Sequence, residues 1–388
     1  MTIVNHTFVH MSSAFQIVVS LANSAIHHEP ISADIKTLDF GSVIRCARRQ
    51  AVDGMLADLP LHTYVAPQDK LLFAQWAASV AALEKLHHTH NSEIVRIASI
   101  FATANIRYAL LKGQCSASHY PIPAHRRIGD IDIYVSPAHF SKASLAMNKL
   151  GYTFDREYPI HAIYKKDNFD IELHKTLQNT YWWPSKRRLA RFLAAHFDNE
   201  NISIPQMQIF QYQVNILPPE IEVLLHTLHI RKHFTSSGIG LRHIYDWSLC
   251  WERYKCDVDW PQLREILEGT HAMRMFRILF YFAITHLGFR WSEMMLNGKP
   301  LTSSEIKLAK KLWLMVEETG NFGNDLKHDV GISIVHNVYE LYLKRRMQAF
   351  ALSHTEVTAE LLHKFFQIIT GGLARRNFKR FLPQSSNK

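Results

Sequence analysis

Asp130 and Asp132 stand two apart in the segment Arg126-Arg-Ile-Gly-Asp-Ile-Asp-Ile-Tyr-Val135. In an extended strand, residues i and i+2 point to the same face, so this spacing sets two carboxylates side by side. Such a pair repels itself, and a divalent cation is the usual relief. Mg²⁺ (or Mn²⁺) is the expected ion, because it is typically held by one or two carboxylates plus substrate phosphates. Ile131 and Ile133 alternate to the opposite face and would bury the strand. A second alternating stretch, Phe169-Asp-Ile-Glu-Leu-His174, repeats the device with Asp170, Glu172 and His174 against Ile171 and Leu173. If the two strands lie side by side, Glu172 supplies a third carboxylate. Two ions about 4 Å apart could then activate an attacking oxygen and neutralise a leaving pyrophosphate.

These groups need a rigid frame, and the periodicity supplies one. Residues 1–104 read as helical: Ile94, Ile97, Ala98 and Phe101 recur at the spacing of one helix face, with Asn91 or Ser92 as the cap of that helix. Ile106 to Leu111 reads as a buried strand ending in the turn Lys112-Gly113. Gln114 to Tyr120 can form a short helix, and Tyr120-Pro-Ile-Pro123 an extended connection. Ser136-Pro137 starts a helix that Gly151 ends. Ile160–Tyr164 and Phe169–His174 form a hairpin around Asp167-Asn168. Helices return from about 185, over 218–233, 239–254, 260–295, 302–319 and 335–380. The expected class is α+β, a small mixed sheet with helices on one side. Its division is an N-terminal helical segment 1–104, an α/β core 105–184 and a C-terminal helical region 185–388.

The 388 residues, 47% of them hydrophobic and 20% charged, suit a folded protein of two or three subdomains. The formal charge of +10 favours anionic partners such as nucleotides, nucleic acid or acidic membranes without choosing among them. Four cysteines without a CxxC pair point to a reducing, cytoplasmic setting, and no apolar run is long enough for a transmembrane segment. His87, His88 and His90 read as solvated or partly packed side chains on a helix rather than a metal site. Arg375, Arg376, Lys379 and Arg380, interleaved with Leu373, Phe378 and Phe381, read as a basic solvated helix end.

Leu-Leu-Lys-Gly113, Tyr-Pro-Ile-Pro123, Arg126, Gly-Asp-Ile-Asp-Ile-Tyr-Val135 and Ile-Glu-Leu-His174 together resemble the uncharacterised nucleotidyltransferase family of the polymerase-β-like superfamily. The resemblance extends more weakly over residues 70–325. It takes in Leu-Leu-His-Thr-Leu-His229, Leu-Arg-His-Ile-Tyr-Asp246-Trp and Asp259-Trp260. It implies a nucleotidyltransferase core with Asp130, Asp132 and Glu172 as catalytic metal ligands. Gly113 would let backbone N–H groups approach an NTP triphosphate, Lys112 and Arg126 would offset its charge, and His229 would line the nucleotide cleft. Arg126, rather than Arg127, occupies the family's position before the paired acids. Gln114 departs from the wider superfamily, which commonly has Ser after the Gly, and the distance from Gly113 to Asp130 is longer than in its compact members. Arg242 and Asp246, four apart on a helix, make either a surface ion pair or part of the cleft wall. The acceptor, whether small molecule, peptide, protein or RNA end, is not legible. The alternative is a nucleotide-binding or regulatory module on the same fold with little catalysis.

Overall fold

The computed structural model describes residues 13–32, 39–167, 169–235, 238–292, 296, 299–320, 347 and 350–369. Five strands form one mixed sheet: β1 (Tyr108–Leu111), β2 (Ile131–Val135), β3 (Thr153–Glu157), β4 (His161–Lys166) and β5 (Phe169–His174), in the order β1-β2-β5-β4-β3. β2 pairs antiparallel with β1 and parallel with β5, while β4 runs antiparallel to both β5 and β3. Two further strands, β6 (Gln206–Ile209) and β7 (Tyr212–Asn215), make a separate hairpin. Ahead of the sheet come α1 (Ser13–His27), α2 (Phe40–Arg49) and α3 (Lys70–Thr103); α4 (Gly113–Ala117) and α5 (Phe140–Lys149) lie within it. After it come α6 (Trp183–His196), α7 (Pro219–Thr235), α8 (Leu241–Tyr254), α9 (Trp260–Gly269), α10 (Met273–His286), α11 (Ser303–Thr319) and a helix at His354–Ile369.

Strand alternation divides the core in two. Tyr108 and Leu110, Ile131, Ile133 and Val135, Ile171 and Leu173 all point to one face. There they pack on Ile94, Ile97 and Phe101 of α3 and on Ala143, Ala146 and Met147 of α5. Each such fully buried aliphatic chain contributes roughly 1.5–3 kcal/mol. On the other face Ala109, Leu111 and Tyr134 join a larger core shared by the N-terminal and C-terminal helices. Helices therefore cover both faces of the sheet, not one as expected, because Tyr134 finds Phe197 of the later helical region, with ring centroids 5.2 Å apart.

Other differences have local causes. α3 is a single helix of 34 residues, so Asn91 and Ser92 sit inside it rather than capping it. Ser92 Oγ donates instead to the carbonyl of His88, four residues back. β3 was not expected: all five of its residues are exposed, so it carries no apolar alternation. The β6–β7 hairpin escaped for the same reason, with Gln206, Gln208, Tyr212 and Gln213 all exposed. The basic segment around Arg375 and Lys379 lies outside the described residues. No described helix is long and apolar enough to cross a membrane.

Candidate active site

β2 and β5 pair in a register that makes Asp132 and Glu172 direct neighbours. Asp130 is the last loop residue before β2 and lines the same cleft of about 390 Å³. That loop is pinned from behind by α3. His87 Nε2 lies 2.6 Å from the Arg126 carbonyl and His90 Nε2 3.1 Å from the Gly129 carbonyl. The histidine cluster of α3 is thus a packing device for the acidic loop.

The acids do not stand alone. Asp132 Oδ1 lies 3.1 Å from Lys112 Nζ and 2.8 Å from His174 Nε2. Burial works against the Asp132 charge, but Lys112 and His174 outweigh it and hold the carboxyl well below the usual range. The same His174 nitrogen is 3.2 Å from Glu172 Oε2, and His161 Nδ1 is 3.4 Å from that oxygen. Burial of His174 opposes its charge, yet its hydrogen bonds to Asp132 and Glu172 win and raise its pKa. Desolvation in the cleft, then repulsion from Asp132 and Glu172, pushes Asp130 up to about 6. Asp130 as a residue is exposed at the rim, so the repulsion is the sturdier of these two causes.

At the Lys112-Gly113 turn both residues have positive φ, +46° and +41°. Space does not demand glycine at 113: an added Cβ would meet only the Asp130 carbonyl, 3.9 Å away. The backbone conformation does, because L side chains rarely adopt it. Lys112 shares that conformation without being glycine, which is a strained arrangement at the end of β1. Gln114, the departure from the superfamily pattern, is buried, and its side-chain NH₂ finds no hydrogen-bond partner among the described residues.

Arg126 is 5% exposed and locked in place. Its Nε and Nη2 donate to Asp246 Oδ1 and Oδ2, both at 2.7 Å, and Nη1 donates to the carbonyls of Gly113 at 3.0 Å and Arg127 at 3.2 Å. Tyr120 donates its hydroxyl to Asp246 Oδ1 at 2.7 Å. Arg126 therefore welds the turn to α8, and its charge is already matched. This overturns the surface ion pair between Arg242 and Asp246: Asp246 is buried on Arg126, while Arg242 donates to the Arg127 carbonyl at 3.0 Å and lines the cleft. Arg127 turns away from the cleft onto buried Asp53, with both bonds at 2.6 Å.

His229 lines the cleft from α7, with His233 one turn on and His243 from α8, ring centroids 4.3 and 5.9 Å away from it. Burial, then the charge of Lys112, pushes His229 well below the ordinary imidazole range; burial and Lys232 bring His233 to about 4. One wall of the cleft is thus acidic, and the facing wall carries neutral imidazoles with Lys232 and Arg242 nearby. Of the expected residues, Lys112, Gly113, Arg126, Asp130, Asp132, Glu172 and His229 all line this one cleft. His161, Lys232 and His243 were not foreseen. His161 had one usable signal: it faces His174 across the β4–β5 hairpin.

A family model described as an uncharacterised nucleotidyltransferase matches residues 36–288, beginning and ending earlier than the expected 70–325. No curated protein matches the chain. Among solved structures, it is similar to the antibiotic-resistance factor ANT(2'')-Ia at 12% identity, covering 51% of this chain and 96% of that one, with a TM-score of 0.33. It is also similar to an antigenic nucleotidyltransferase-like protein from Paracoccidioides brasiliensis at 12% identity, covering 54% and 96%, with a TM-score of 0.34.

Proposed function

Because the chain belongs to the uncharacterised nucleotidyltransferase family, we propose that it moves a nucleoside monophosphate from an NTP to an acceptor and releases pyrophosphate. The observation that carries this reading is the register pairing of Asp132 with Glu172, with Asp130 on the same cleft. Asp130, Asp132 and Glu172 line this one cleft, where burial and then repulsion from Asp132 and Glu172 push Asp130 up to about 6, and carboxylates of this kind are the donor chemistry that Mg²⁺ or Mn²⁺ requires. When bound by Asp130, Asp132 and Glu172, such ions would supply charge neutralisation for the attacking oxygen and the departing pyrophosphate.

The chain's own residues do the rest. Lys112 offsets phosphate charge and can exchange its contact with Asp132 for one to the nucleotide. Gly113 leaves the backbone N–H groups of the turn open to a phosphate. Arg126 acts through that turn, by holding the Gly113 carbonyl, and keeps the loop into Asp130 in place. His229, neutral at physiological pH, offers an N–H or a lone pair rather than a charge. Positioning and charge compensation of this kind carry most of the work in phosphoryl chemistry. A cytoplasmic location belongs to the same proposal and is supported by four free cysteines.

The test is incubation with labelled ATP, CTP, GTP and UTP plus Mg²⁺ or Mn²⁺, with pyrophosphate release followed for the parent and Asp132→Asn. No nucleotide binding, with the variant indistinguishable from the parent, would sink the reading. One observation favours a non-catalytic nucleotide-binding module: Lys112 and His174 already occupy Asp132, and Arg126 is committed to Asp246. Calorimetric titration with Mn²⁺, with and without a non-hydrolysable NTP, separates the two. Carboxylate-dependent, nucleotide-coupled binding speaks for the enzyme.

A further inference from the structure

Next to the cleft, which His226 also lines, five side chains with metal-binding atoms gather in two sets that share Glu222 where α4, α7 and α8 meet. Cys115 belongs to α4, and His119 follows it four residues later; Glu222 and His226 are four apart on α7, and Cys250 is on α8. Glu222 and His226, four apart on one helix, share a face, while His119 lies in the turn just after α4. Glu222 sits at the centre. Its Oε1 is 3.0 Å from His119 Nε2, 3.4 Å from Cys115 Sγ and 3.9 Å from His226 Nε2. The donor atoms of Cys115, His119 and Glu222 all lie within 4.8 Å of one another, and so do those of Glu222, His226 and Cys250.

Glu222 is 1% exposed, and its second oxygen, Oε2, is buried and makes no well-formed hydrogen bond among the described residues, although the Tyr254 hydroxyl interacts with this carboxylate. A carboxylate oxygen left bare in an apolar interior is expensive and calls for a partner. Zinc bonds of about 2.0–2.3 Å in a tetrahedron put neighbouring ligand atoms roughly 3.3–3.8 Å apart. The separations around Glu222 Oε1 bracket that range. Two thiols also select the ion: sulfur favours zinc-class metals over Mg²⁺ or Ca²⁺.

We propose that this cluster binds one zinc-class divalent ion through four donors: Glu222, which belongs to both sets, the thiols of Cys115 and Cys250, and one of the two imidazoles, His119 or His226. Binding exchanges the two S–H bonds for metal–sulfur bonds and releases both protons to solvent. The site is distinct from the three carboxylates of the cleft. Its role is a brace: Cys115 lies two residues beyond Gly113 of the phosphate turn, and Cys250 one helical turn beyond Asp246, the partner of Arg126.

The full-length protein, stripped with a strong chelator, is titrated with Co²⁺ alone. One equivalent should bind with visible bands of tetrahedral cobalt and a near-ultraviolet thiolate-to-cobalt charge-transfer band. Cys115→Ser and Cys250→Ser should each remove most of that band, while an Asp132→Asn/Glu172→Gln double variant should retain it. X-ray absorption of the zinc-loaded parent should place sulfur at about 2.3 Å. That last measurement needs no variant, so it decides the matter even if the serine variants fail to fold. Absence of sulfur from the zinc shell, or loss of the charge-transfer band in the cleft double variant, overturns the proposal.

Discussion

Asp132 and Glu172 face each other across a parallel strand pair, and a single nitrogen, His174 Nε2, lies 2.8 Å from one carboxylate and 3.2 Å from the other. His174 thereby spaces the two acids and offsets their repulsion. Asp132→Asn and Glu172→Gln should each lower nucleotidyl transfer by at least ~10²-fold, in keeping with the loss of a group positioned for the transition state. Circular dichroism should stay unchanged. Transfer that persists within a few-fold of the parent would remove these residues from the chemistry.

Asp130 is raised by burial in the cleft and then by Asp132 and Glu172, with Lys112 only partly offsetting them. Asp130→Asn should abolish transfer while leaving the melting temperature equal to or above that of the parent, since it deletes a repulsive charge. Parallel assays of activity and thermal melting check this. A clear loss of stability would mean that Asp130 holds structure.

The Arg126–Asp246 pair is 5% exposed on both sides. Removing one partner strands the other charge in the core, so Asp246→Leu should cost about 3–5 kcal/mol. Arg126→Met combined with Asp246→Leu should recover a large part of that loss. Urea denaturation of the two singles and the double closes the cycle, and an additive outcome would show that the pair is not coupled.

Lys112 occupies a backbone region that favours glycine, with φ of +46°. Lys112→Gly relieves that strain of ~1–3 kcal/mol but strips buried Asp132 of its partner, so Lys112→Gly/Asp132→Asn should be more stable than Asp132→Asn alone, with nucleotide binding weakened in both. Gly113→Ala should do the reverse to the backbone and cost about 1 kcal/mol or more. Denaturation midpoints and nucleotide Kd values read the two effects separately.

His125 is buried between Asp58 and Glu84, with Nε2 2.9 Å from Glu84. The hydrogen bond to Asp58 first, and that to Glu84 next, raise its pKa against the opposing effect of burial. A raised histidine adds stability that is complete below the ordinary imidazole pKa of about 6.5 and is lost as pH climbs through its folded value. The stability difference between the parent and His125→Gln should thus be largest at pH 5–6 and shrink toward pH 9. A difference that grows with pH contradicts the assignment.

The acids were legible in the sequence because strand alternation is local. Asp132 and Glu172 each announced their face through the isoleucines and leucine beside them, and the turn at Lys112-Gly113 through its position after an apolar run. What sequence could not tell was which partner each charge would choose. Arg126 looked available for phosphate, yet its guanidinium is engaged by a carboxylate 120 residues away. His87 and His90 read as solvated or partly packed helix residues, and the carbonyls they pack against belong to a loop 39 residues on that the helix pattern does not indicate. Long-range pairing of polar groups leaves no periodic trace. β3 shows the complementary blindness: an exposed edge strand has no hydrophobic face to read.

The distance along the chain between these partners has a consequence for biosynthesis. A ribosome adding about 5–20 residues per second needs on the order of ten seconds to travel from Arg126 to Asp246. During that interval the sheet can close around the paired acids, but the guanidinium beside them has no counter-charge. The turn at Lys112-Gly113 is therefore synthesised well before the carboxylate that anchors the guanidinium holding it.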